Sequence, residues 1–305
     1  MGTPEPAVHI LKALHDEGHQ IALVVTQPDR PKGRGREVAP PPVKVYAEHH
    51  KIPVLQPEKV RDAQFIADIK TLQPDVIVVV AYGQILPKEL LAVPRFGGLN
   101  LHTSLLPKYR GAAPVQWAIL KGEKETGVSI FRLEETLDTG PIYAQEKVTI
   151  KEYDNTQTLL DKLFREGARL MVKVVAQLEK GTISAINQDG RLATFAPKIT
   201  KEMGEINWRN SADEIHNQVR GLIPWPGAHT YVHKKTLKIW DTRLAPPIAG
   251  KKPGEILAVN GEGIVIACGD GALLIKEVQL EGKERHLACD FANGAHLKPG
   301  LILPN

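Results

Sequence analysis

Apolar residues recur with two different periods along the first half of the chain. Segments with apolar residues at helical spacing alternate with short continuous apolar runs, which are typical of buried parallel strands. The first such helix places Ala7, Ile10, Leu11 and Leu14 on one face and precedes Gly18, a typical helix stop. The alternation predicts an α/β domain with a doubly wound, mainly parallel sheet. The predicted helices cover 7–17, 43–50, 61–72 and 156–179, and the predicted strands cover 21–25, 52–55, 75–81, 99–101, 127–132 and 141–149.

The pattern changes after about residue 182. Residues 193–206 lack clean periodicity and contain Pro197, which is typical of a linker. A predicted helix at 211–221 is followed by regularly spaced short strands, which indicate a small, OB-like β-barrel. The short strands cover 229–233, 236–243, 254–259, 263–267 and 272–280. The predicted organisation is an N-terminal domain over 1–182, a linker over 183–206 and a C-terminal domain over 207–305.

Composition narrows the class of protein. Of the 305 residues, 42% are hydrophobic and 24% are charged, which is ordinary globular usage. The apolar runs are too short to span a bilayer, and the N-terminus lacks the pattern of a signal peptide. Cys268 and Cys289 are too few for a disulfide scaffold or a cysteine zinc site. We therefore expect a cytoplasmic protein without a membrane partner.

The positive charge is concentrated in one short segment. Net charge is +4, and Arg30, Lys32, Arg34 and Arg36 fall within seven residues that contain no anion. This cluster indicates a polyanionic partner. From the charges alone, a solvated cationic loop explains the segment equally well.

One candidate for chemistry lies at the end of a predicted strand. Asn100 and His102 are two residues apart, so strand geometry places both side chains on one face. The carboxyl ends of parallel strands are where α/β proteins bind ligands. An amide and an imidazole there can donate to a developing oxyanion. Taken alone, however, the pair is more often a buried polar pair at a strand end.

A second candidate is Asp138, which lies in the turn-forming run Leu137-Asp138-Thr139-Gly140. An aspartate in such a run commonly accepts a hydrogen bond from its own turn. Without further information, this Asx turn is the better interpretation of Asp138.

Together these segments resemble the formyltransferase family. The match rests on NLHTSLLPKYRGAAP at 100–114 and LDTGPI at 137–142. TQPDRPKGRG at 26–35, APKITKEMGEINW at 196–208 and IHNQVRGLIPWPGAHT at 215–230 are similar to one branch, the methionyl-tRNA formyltransferases. The resemblance covers nearly the whole chain. It implies a Rossmann-like catalytic domain followed by a C-terminal tRNA-binding barrel.

The resemblance also implies a reaction. A formyl group is transferred from 10-formyltetrahydrofolate, a co-substrate, to the free amino group of initiator methionyl-tRNA. The product, N-formylmethionyl-tRNA, serves translation initiation. Asn100, His102 and Asp138 match the catalytic residues of the family, and no metal is required.

Two further sets of residues take their roles from the same resemblance. The turn that contacts folate in the family corresponds here to Ser104, Leu105, Leu106 and Pro107. The tRNA-contacting arginine of the inserted basic loop corresponds to Arg34, and on electrostatic grounds we expect Arg30, Lys32 and Arg36 to meet the tRNA as well.

In one respect the chain departs from the family. Members normally begin with a short apolar strand before the Gly-Thr-Pro loop, whereas here Met1 directly precedes Gly2. Loss of a central strand predicts unpaired neighbouring strands and exposed apolar surface. A tRNA-binding protein with impaired catalysis is therefore one alternative, although Asn100, His102 and Asp138 are intact.

A second alternative is a formyltransferase that acts on a small-molecule amine. The basic loop and the C-terminal barrel argue against it. A dinucleotide-dependent oxidoreductase is disfavoured because no G-x-G-x-x-G follows a strand. The sequence does not indicate an oligomeric state.

Overall fold

The computed structural model describes residues 1–32, 37–246, 248 and 250–304, without the side chains of Lys32 and Glu37. The chain divides into two compact units. Unit 1 comprises Met1–Pro114, Glu125–Thr149 and Leu160–Ala196, and unit 2 comprises Val115–Lys124, Ile150–Leu159 and the chain from Pro197 onward.

The described residues form the following elements. The helices are α1 (Glu5–Asp16), α2 (Pro42–His49), α3 (Ala63–Leu72), α4 (Lys88–Leu91), α5 (Pro114–Leu120), α6 (Thr156–Glu179), α7 (Ala212–Gly221) and α8 (Ala288–Gly294). The strands of the first part are β1 (Val24–Val25), β2 (Arg30–Lys32), β3 (Glu37–Ala39), β4 (Val54–Leu55), β5 (Ile77–Val79), β6 (Gly98–His102), β7 (Arg110–Gly111), β8 (Glu125–Arg132), β9 (Ile142–Thr149) and β10 (Phe195–Ala196). The later strands are β11 (His229–Val232), β12 (Lys235–Ala245), β13 (Ile256–Asn260), β14 (Gly263–Ala267), β15 (Ala272–Leu280) and β16 (Arg285–Leu287).

The longer helices lie where apolar periodicity predicts them. Helix α1 buries Ala7, Ile10 and Leu14 and is followed by Gly18 at φ +82°, a conformation that favours glycine. Helix α3 begins after Asp62, whose carboxylate accepts hydrogen bonds from two main-chain N–H groups of the first turn. The short elements α4, α5, α8, β7, β10 and β16 carry too few residues for a periodic signal.

The sheet of unit 1 has the order β5-β6-β8-β9. Strands β5 and β6 are parallel, as are β1 and β4 in a separate pair, whereas β8 and β9 are antiparallel to their neighbours. The predicted α/β fold is confirmed. The direction of β8 and β9 was not predicted, because apolar periodicity does not depend on strand direction.

The first two residues connect β1 with β5. Gly2 N–H donates to Val25 O at 3.0 Å. Val80 N–H donates to Met1 O at 2.9 Å, and the Met1 ammonium donates to Val78 O at 2.6 Å. Met1 and Gly2 therefore lie between the ends of β1 and β5.

Next to these residues lies a cavity of about 660 Å³. Its lining includes Met1, Gly2 and apolar side chains of α1 and β5, among them Ile10, Leu14 and Ile77. Ile10, Leu14 and Ile77 are buried, at 2%, 6% and 8% exposure, so the expected exposure of apolar surface stays a prediction.

Unit 2 contains an antiparallel sheet of six strands in the order β11-β12-β15-β14-β13, with β16 beside β15. Its apolar core includes Trp208, Ile215, Leu237, Ile266 and Leu273. Helix α7 packs on the sheet and begins with a capping box, in which Ser211 and Glu214 satisfy each other's main-chain N–H groups. The predicted succession of one helix and short strands is confirmed.

The predicted linker at 183–206 stays a prediction. Within it, β10 pairs with β7 of unit 1, and residues from Pro197 onward belong to unit 2. Among the residues that the structure describes, no helix has the length and apolar character needed to cross a membrane.

Limited proteolysis tests the proposed boundary. Leu192 and Phe195 are 63% and 72% exposed and precede the change of unit after Ala196. We expect the first chymotryptic cut after one of these two residues, since proteases attack exposed segments between compact units. Mass spectrometry of a digestion time course identifies the cut. A first cut within 75–101 would contradict the boundary.

Candidate active site

Strand β6 places the first two candidate residues. It lies between β5 and β8, and it pairs Asn100 with Val79 and His102 with Ser129. Asn100 and His102 share one face because side chains alternate along a strand. His102 is buried at 7% exposure, whereas Asn100 is partly exposed. The structure therefore presents an amide and an imidazole together at the carboxyl end of β6.

Both ring nitrogens of His102 face an oxygen of the protein. Nε2 lies 2.8 Å from Tyr109 O, and Nδ1 lies 3.8 Å from Asp138 Oδ2. A carbonyl oxygen only accepts, so Nε2 carries a proton and donates to it. The Nδ1–Oδ2 distance exceeds a direct hydrogen bond but suits an ion pair or a bridging water. Nδ1 therefore faces the Asp138 carboxylate without a direct hydrogen bond to it.

Asp138 is buried at 8% exposure and has a left-handed backbone with φ 55°. Its Oδ2 accepts a hydrogen bond from the Gly111 N–H at 2.8 Å. This oxygen therefore binds a segment 27 residues earlier in the chain, not its own turn. The observed contacts differ from the Asx turn that the local sequence favours. Aspartate is among the residues that adopt a left-handed backbone most readily.

The turn that carries Asp138 is tightly packed. A Cβ added to Gly140 would lie 1.7 Å from Arg132 O, so only glycine fits at this position. Gln188 Nε2 donates to Asp138 O at 2.9 Å and to Gly140 O at 2.8 Å. Sequence reasoning missed Gln188, because its contacts are made about 50 residues away in the chain and it lies in no periodic segment.

The predicted folate turn follows β6 directly. The Ser104 hydroxyl is fully buried and donates to a main-chain carbonyl four residues later at 2.6 Å. Ser129 Oγ donates to Ser104 O at 2.6 Å and accepts from Leu106 N–H at 3.1 Å. Ser104 and Leu106 therefore shape the turn from the interior. Leu105 and Pro107 are partly exposed and are the side chains that a ligand can reach.

The described residues of the basic segment lie in a short strand, β2, and a second strand, β3, follows the segment. Strands β2 and β3 form an antiparallel hairpin, with Arg30 paired with Ala39. Arg30 is exposed. Arg34 and Arg36 lie outside the described residues, and so does the side chain of Lys32.

Polar side chains fix the base of this hairpin. Lys44 Nζ donates to Asp29 Oδ2 at 2.7 Å and to Gln56 Oε1 at 2.9 Å. Gln56 Nε2 donates to Asp29 Oδ1 at 2.7 Å. The hydrogen bond from Lys44, followed by that from Gln56, lowers the pKa of Asp29 below its ordinary value. The Asp29 carboxylate therefore stays ionised at neutral pH. The stability that its bonds to Lys44 and Gln56 contribute is lost only as the pH falls through the lowered pKa.

The site and the cavity near Met1 are different places. Asn100, His102 and Asp138 are not among the residues that line that cavity. Within the described parts of the chain, no three His, Cys, Asp or Glu side chains form a group that could hold a metal ion. The chemistry open to the three candidate residues is donation to an oxygen and transfer of a proton.

Two family models cover most of the chain. One, described as formyl transferase, matches residues 1–175, and the other, described as formyl transferase C-terminal domain, matches residues 198–296. The chain belongs to the formyltransferase family. The resemblance found in the two motif segments is therefore confirmed, and it extends to both parts of this formyltransferase.

Curated relatives are similar over almost the full length. This formyltransferase is 47% identical to a methionyl-tRNA formyltransferase of Geobacter metallireducens over 303 residues, which is 99% of this chain and 97% of the relative. It is 46% identical to the methionyl-tRNA formyltransferase of Bacillus subtilis over 304 residues, again 99% of this chain and 96% of the relative.

Solved structures share the fold at lower identity. The formyltransferase superposes on WlaRD, a sugar 3N-formyl transferase, with a TM-score of 0.68 and 20% identity over 93% of this chain and 97% of that chain. HypX from Aquifex aeolicus, solved in complex with tetrahydrofolic acid, gives a TM-score of 0.61 and 19% identity over 84% of this chain and 45% of that chain. At these identities the likeness shows the fold alone.

Proposed function

We propose that this enzyme transfers the formyl group of 10-formyltetrahydrofolate to the free amino group of initiator methionyl-tRNA. The observation that carries the proposal is the convergence of Asn100, His102 and Asp138 at the end of β6. The full-length similarity to enzymes named methionyl-tRNA formyltransferases supports the choice of acceptor. Because charged tRNA is used in translation, the proposed activity belongs in the cytoplasm.

The side chains of Asn100 and His102 are suited to stabilise charge on a formyl oxygen. The bound folate supplies an amide-like formyl carbon that a neutral amine can attack, and negative charge then grows on the formyl oxygen. The Asn100 amide provides N–H donors, and His102 Nδ1, which lies 3.8 Å from Asp138 Oδ2 and so outside a direct hydrogen bond, is the ring nitrogen open to a formyl oxygen. Donors held before the reaction stabilise such charge at little reorganisation cost.

Asp138 has two roles in the proposed reaction. Its carboxylate lies 3.8 Å from the His102 ring and orients it. It also accepts a proton from the attacking amine, directly or through a water that bridges the gap, and returns it to the folate nitrogen as the bond between that nitrogen and the formyl carbon breaks. Gly111 N–H holds the same carboxylate oxygen at 2.8 Å and keeps it aimed at the ring.

We assign folate contact to the turn at 104–107. The interior bonds of Ser104 and Leu106 give this turn a defined shape. Leu105 and Pro107 then offer apolar surface to the flat ring system of a folate.

We assign tRNA contact to the basic hairpin and to unit 2. Arg30, Lys32, Arg34 and Arg36 provide cations that suit phosphates. The bonds from Lys44 and Gln56 to Asp29 anchor the strand that leads into them. Contact of unit 2 with tRNA follows from the similarity of the whole chain to full-length relatives.

The decisive experiment compares acceptors. Purified protein is given labelled 10-formyltetrahydrofolate with initiator methionyl-tRNA, with free methionine amide, or with an amino sugar nucleotide. We expect transfer to methionyl-tRNA at a kcat/KM at least about a hundredfold above either small amine, since tRNA contacts supply binding energy. Preferred transfer to a small amine would support the alternative acceptor. Binding of tRNA without transfer would support an impaired enzyme.

Substitution of Arg34 tests the role of the basic hairpin. We expect Arg34→Ala to lower kcat/KM for methionyl-tRNA while folate binding stays intact. If Arg34 meets a phosphate, the logarithmic salt slope of kcat/KM should fall by about one unit. If it meets a base, the slope stays and discrimination among tRNAs relaxes. Lys70→Ala, which removes an exposed cation from α3, is the matched control. Unchanged tRNA kinetics at every salt concentration would reject a role for Arg34.

A further inference from the structure

Gln188 lies outside every motif used above, yet its side chain joins two parts of the site. Oε1 accepts hydrogen bonds from Arg110 Nε at 3.1 Å and from Arg110 Nη2 at 2.6 Å. Nε2 donates to Asp138 O at 2.9 Å and to Gly140 O at 2.8 Å. The oxygen faces donors and the nitrogen faces acceptors, so these contacts determine the orientation of the amide.

These bonds reach both sides of the Asp138 carboxylate. On one side, Gln188 holds the carbonyl groups of the turn in which Asp138 keeps φ 55°. On the other side, it holds Arg110, the residue immediately before Gly111. The Gly111 N–H in turn donates to Asp138 Oδ2. The Gln188 amide thus connects the turn that carries Asp138 with the segment whose Gly111 N–H binds the Asp138 carboxylate.

The backbone of Asp138 needs such support. A left-handed conformation is unfavourable for a residue with a side chain, and it persists when surrounding contacts over-determine it. Loss of the Gln188 donor would leave the carbonyls of residues 138 and 140 without the bonds that hold them. The turn could then relax, and the carboxylate would move with it.

We propose that Gln188 is a positioning residue that fixes Asp138, and through Asp138 the His102 ring, for formyl transfer. Gln188 acts only through the turn and through Arg110. Its effect on rate rests on the proposed function, whereas its effect on the geometry of Asp138 can be observed without any activity. The competing explanation is that Gln188 merely holds residues 183–196 against the rest of unit 1.

Two substitutions separate the contacts of the amide. Gln188→Glu keeps an acceptor for Arg110 but replaces the donor with a carboxylate that repels the two carbonyls. Arg110→Ala removes the other contact and leaves the Gln188 donor in place. Gln188→Ala removes both. Gln64→Ala, which truncates a glutamine on the exposed side of α3, is the matched control.

We expect Gln188→Glu to lower kcat by about ten- to a hundredfold, because a catalytic group displaced by about 1 Å can cost this much. Gln188→Ala should lower kcat less than Gln188→Glu does, and Arg110→Ala should lower it least. KM for both substrates should stay within about threefold of wild type, since the contacts of bound substrates are not altered. The pH profile of kcat should also change, because the Asp138 carboxylate would no longer lie 3.8 Å from the His102 ring.

A merely structural role gives a different pattern. Thermal stability would fall, but kcat and its pH profile would match wild type at temperatures where the variants are folded. That result in Gln188→Glu would overturn the proposal. If Gln188→Ala does not fold, Gln188→Glu and Arg110→Ala still test the proposal, since each retains part of the hydrogen bonds made by residue 188.

A crystal structure of Gln188→Glu provides the readout that is independent of activity. We expect the Asp138 carbonyl to turn away and the Nδ1–Oδ2 separation to change from 3.8 Å. An unchanged turn with the Gly111 bond intact would overturn the positioning role, whatever the acceptor of the reaction is. Absence of formyl transfer by the wild type, with the turn displaced in the variant, would instead reject only the proposed function.

Discussion

Replacing Asn100, His102 or Asp138 by alanine should each lower kcat for formyl transfer by about two to four orders of magnitude. Asn100 and His102 donate mainly to charge that exists in the transition state, so KM should change little. Single-turnover kinetics with saturating folate and methionyl-tRNA measures the effect directly. A His102→Ala variant that stays within about tenfold of wild type would reject the assignment of His102 as an oxyanion donor.

The Asp138 position calls for a second substitution. Alanine at φ 55° adds backbone strain of about 1–2 kcal/mol, so Asp138→Ala mixes strain with loss of charge. Asn adopts this conformation more readily and keeps an oxygen for the Gly111 N–H. Asp138→Asn should therefore keep the thermal stability of wild type and still lose most of kcat. If Asp138→Asn retains near-normal kcat, the charge of Asp138 is not required.

Controls for these variants come from the same unit. His9→Ala removes an exposed histidine of α1 and should leave kcat and stability near wild type. Circular dichroism and thermal melting confirm that each variant is folded. Parallel loss of kcat in His9→Ala would mean that the assay reports a general effect of truncation.

Gly140→Ala should impair both stability and turnover. The added Cβ would lie 1.7 Å from Arg132 O and 2.9 Å from Arg132 C, and these main-chain atoms cannot rotate away. The turn must shift, and we expect a loss of about 1–3 kcal/mol in the free energy of unfolding, as for other overpacked sites. Because Asp138 lies in that turn, kcat should fall by about ten- to a hundredfold.

Gly190→Ala is the matched control for this substitution. A Cβ at Gly190 would meet no heavy atom of the described chain within 4 Å. We expect its stability to stay within about 0.5 kcal/mol of wild type, as for most surface substitutions. Thermal unfolding monitored by circular dichroism compares the two variants. Equal melting temperatures for Gly140→Ala and wild type would contradict this expectation, because the turn would then accommodate the added Cβ.

Periodicity alone predicted the longer elements and their order. The predicted helix at 156–179 coincides with α6, and the strand at 99–101 lies within β6. Long segments carry enough apolar positions for a reliable period, whereas α4 and β10 have four and two residues. The antiparallel direction of β8 and β9 was not predicted, because one strand's pattern is the same in both directions.

The candidate site was also predictable only in part. Asn100 and His102 share a face because a strand repeats every two residues, and this follows from local geometry alone. Asp138 was identified through family resemblance. Its local sequence favoured an Asx turn, and the observed contact with Gly111 depends on how two distant segments fold together.

What the sequence determined by itself is therefore what local geometry determines: the long helices, the strand that carries Asn100 and His102, and the family to which its motifs belong. Tertiary structure decided the rest. It set the 3.8 Å separation of His102 from Asp138, the left-handed backbone of Asp138 and the four hydrogen bonds of Gln188. The separation and the hydrogen bonds join residues far apart in the chain, and no period or spacing in one segment records which distant atoms will satisfy its polar groups.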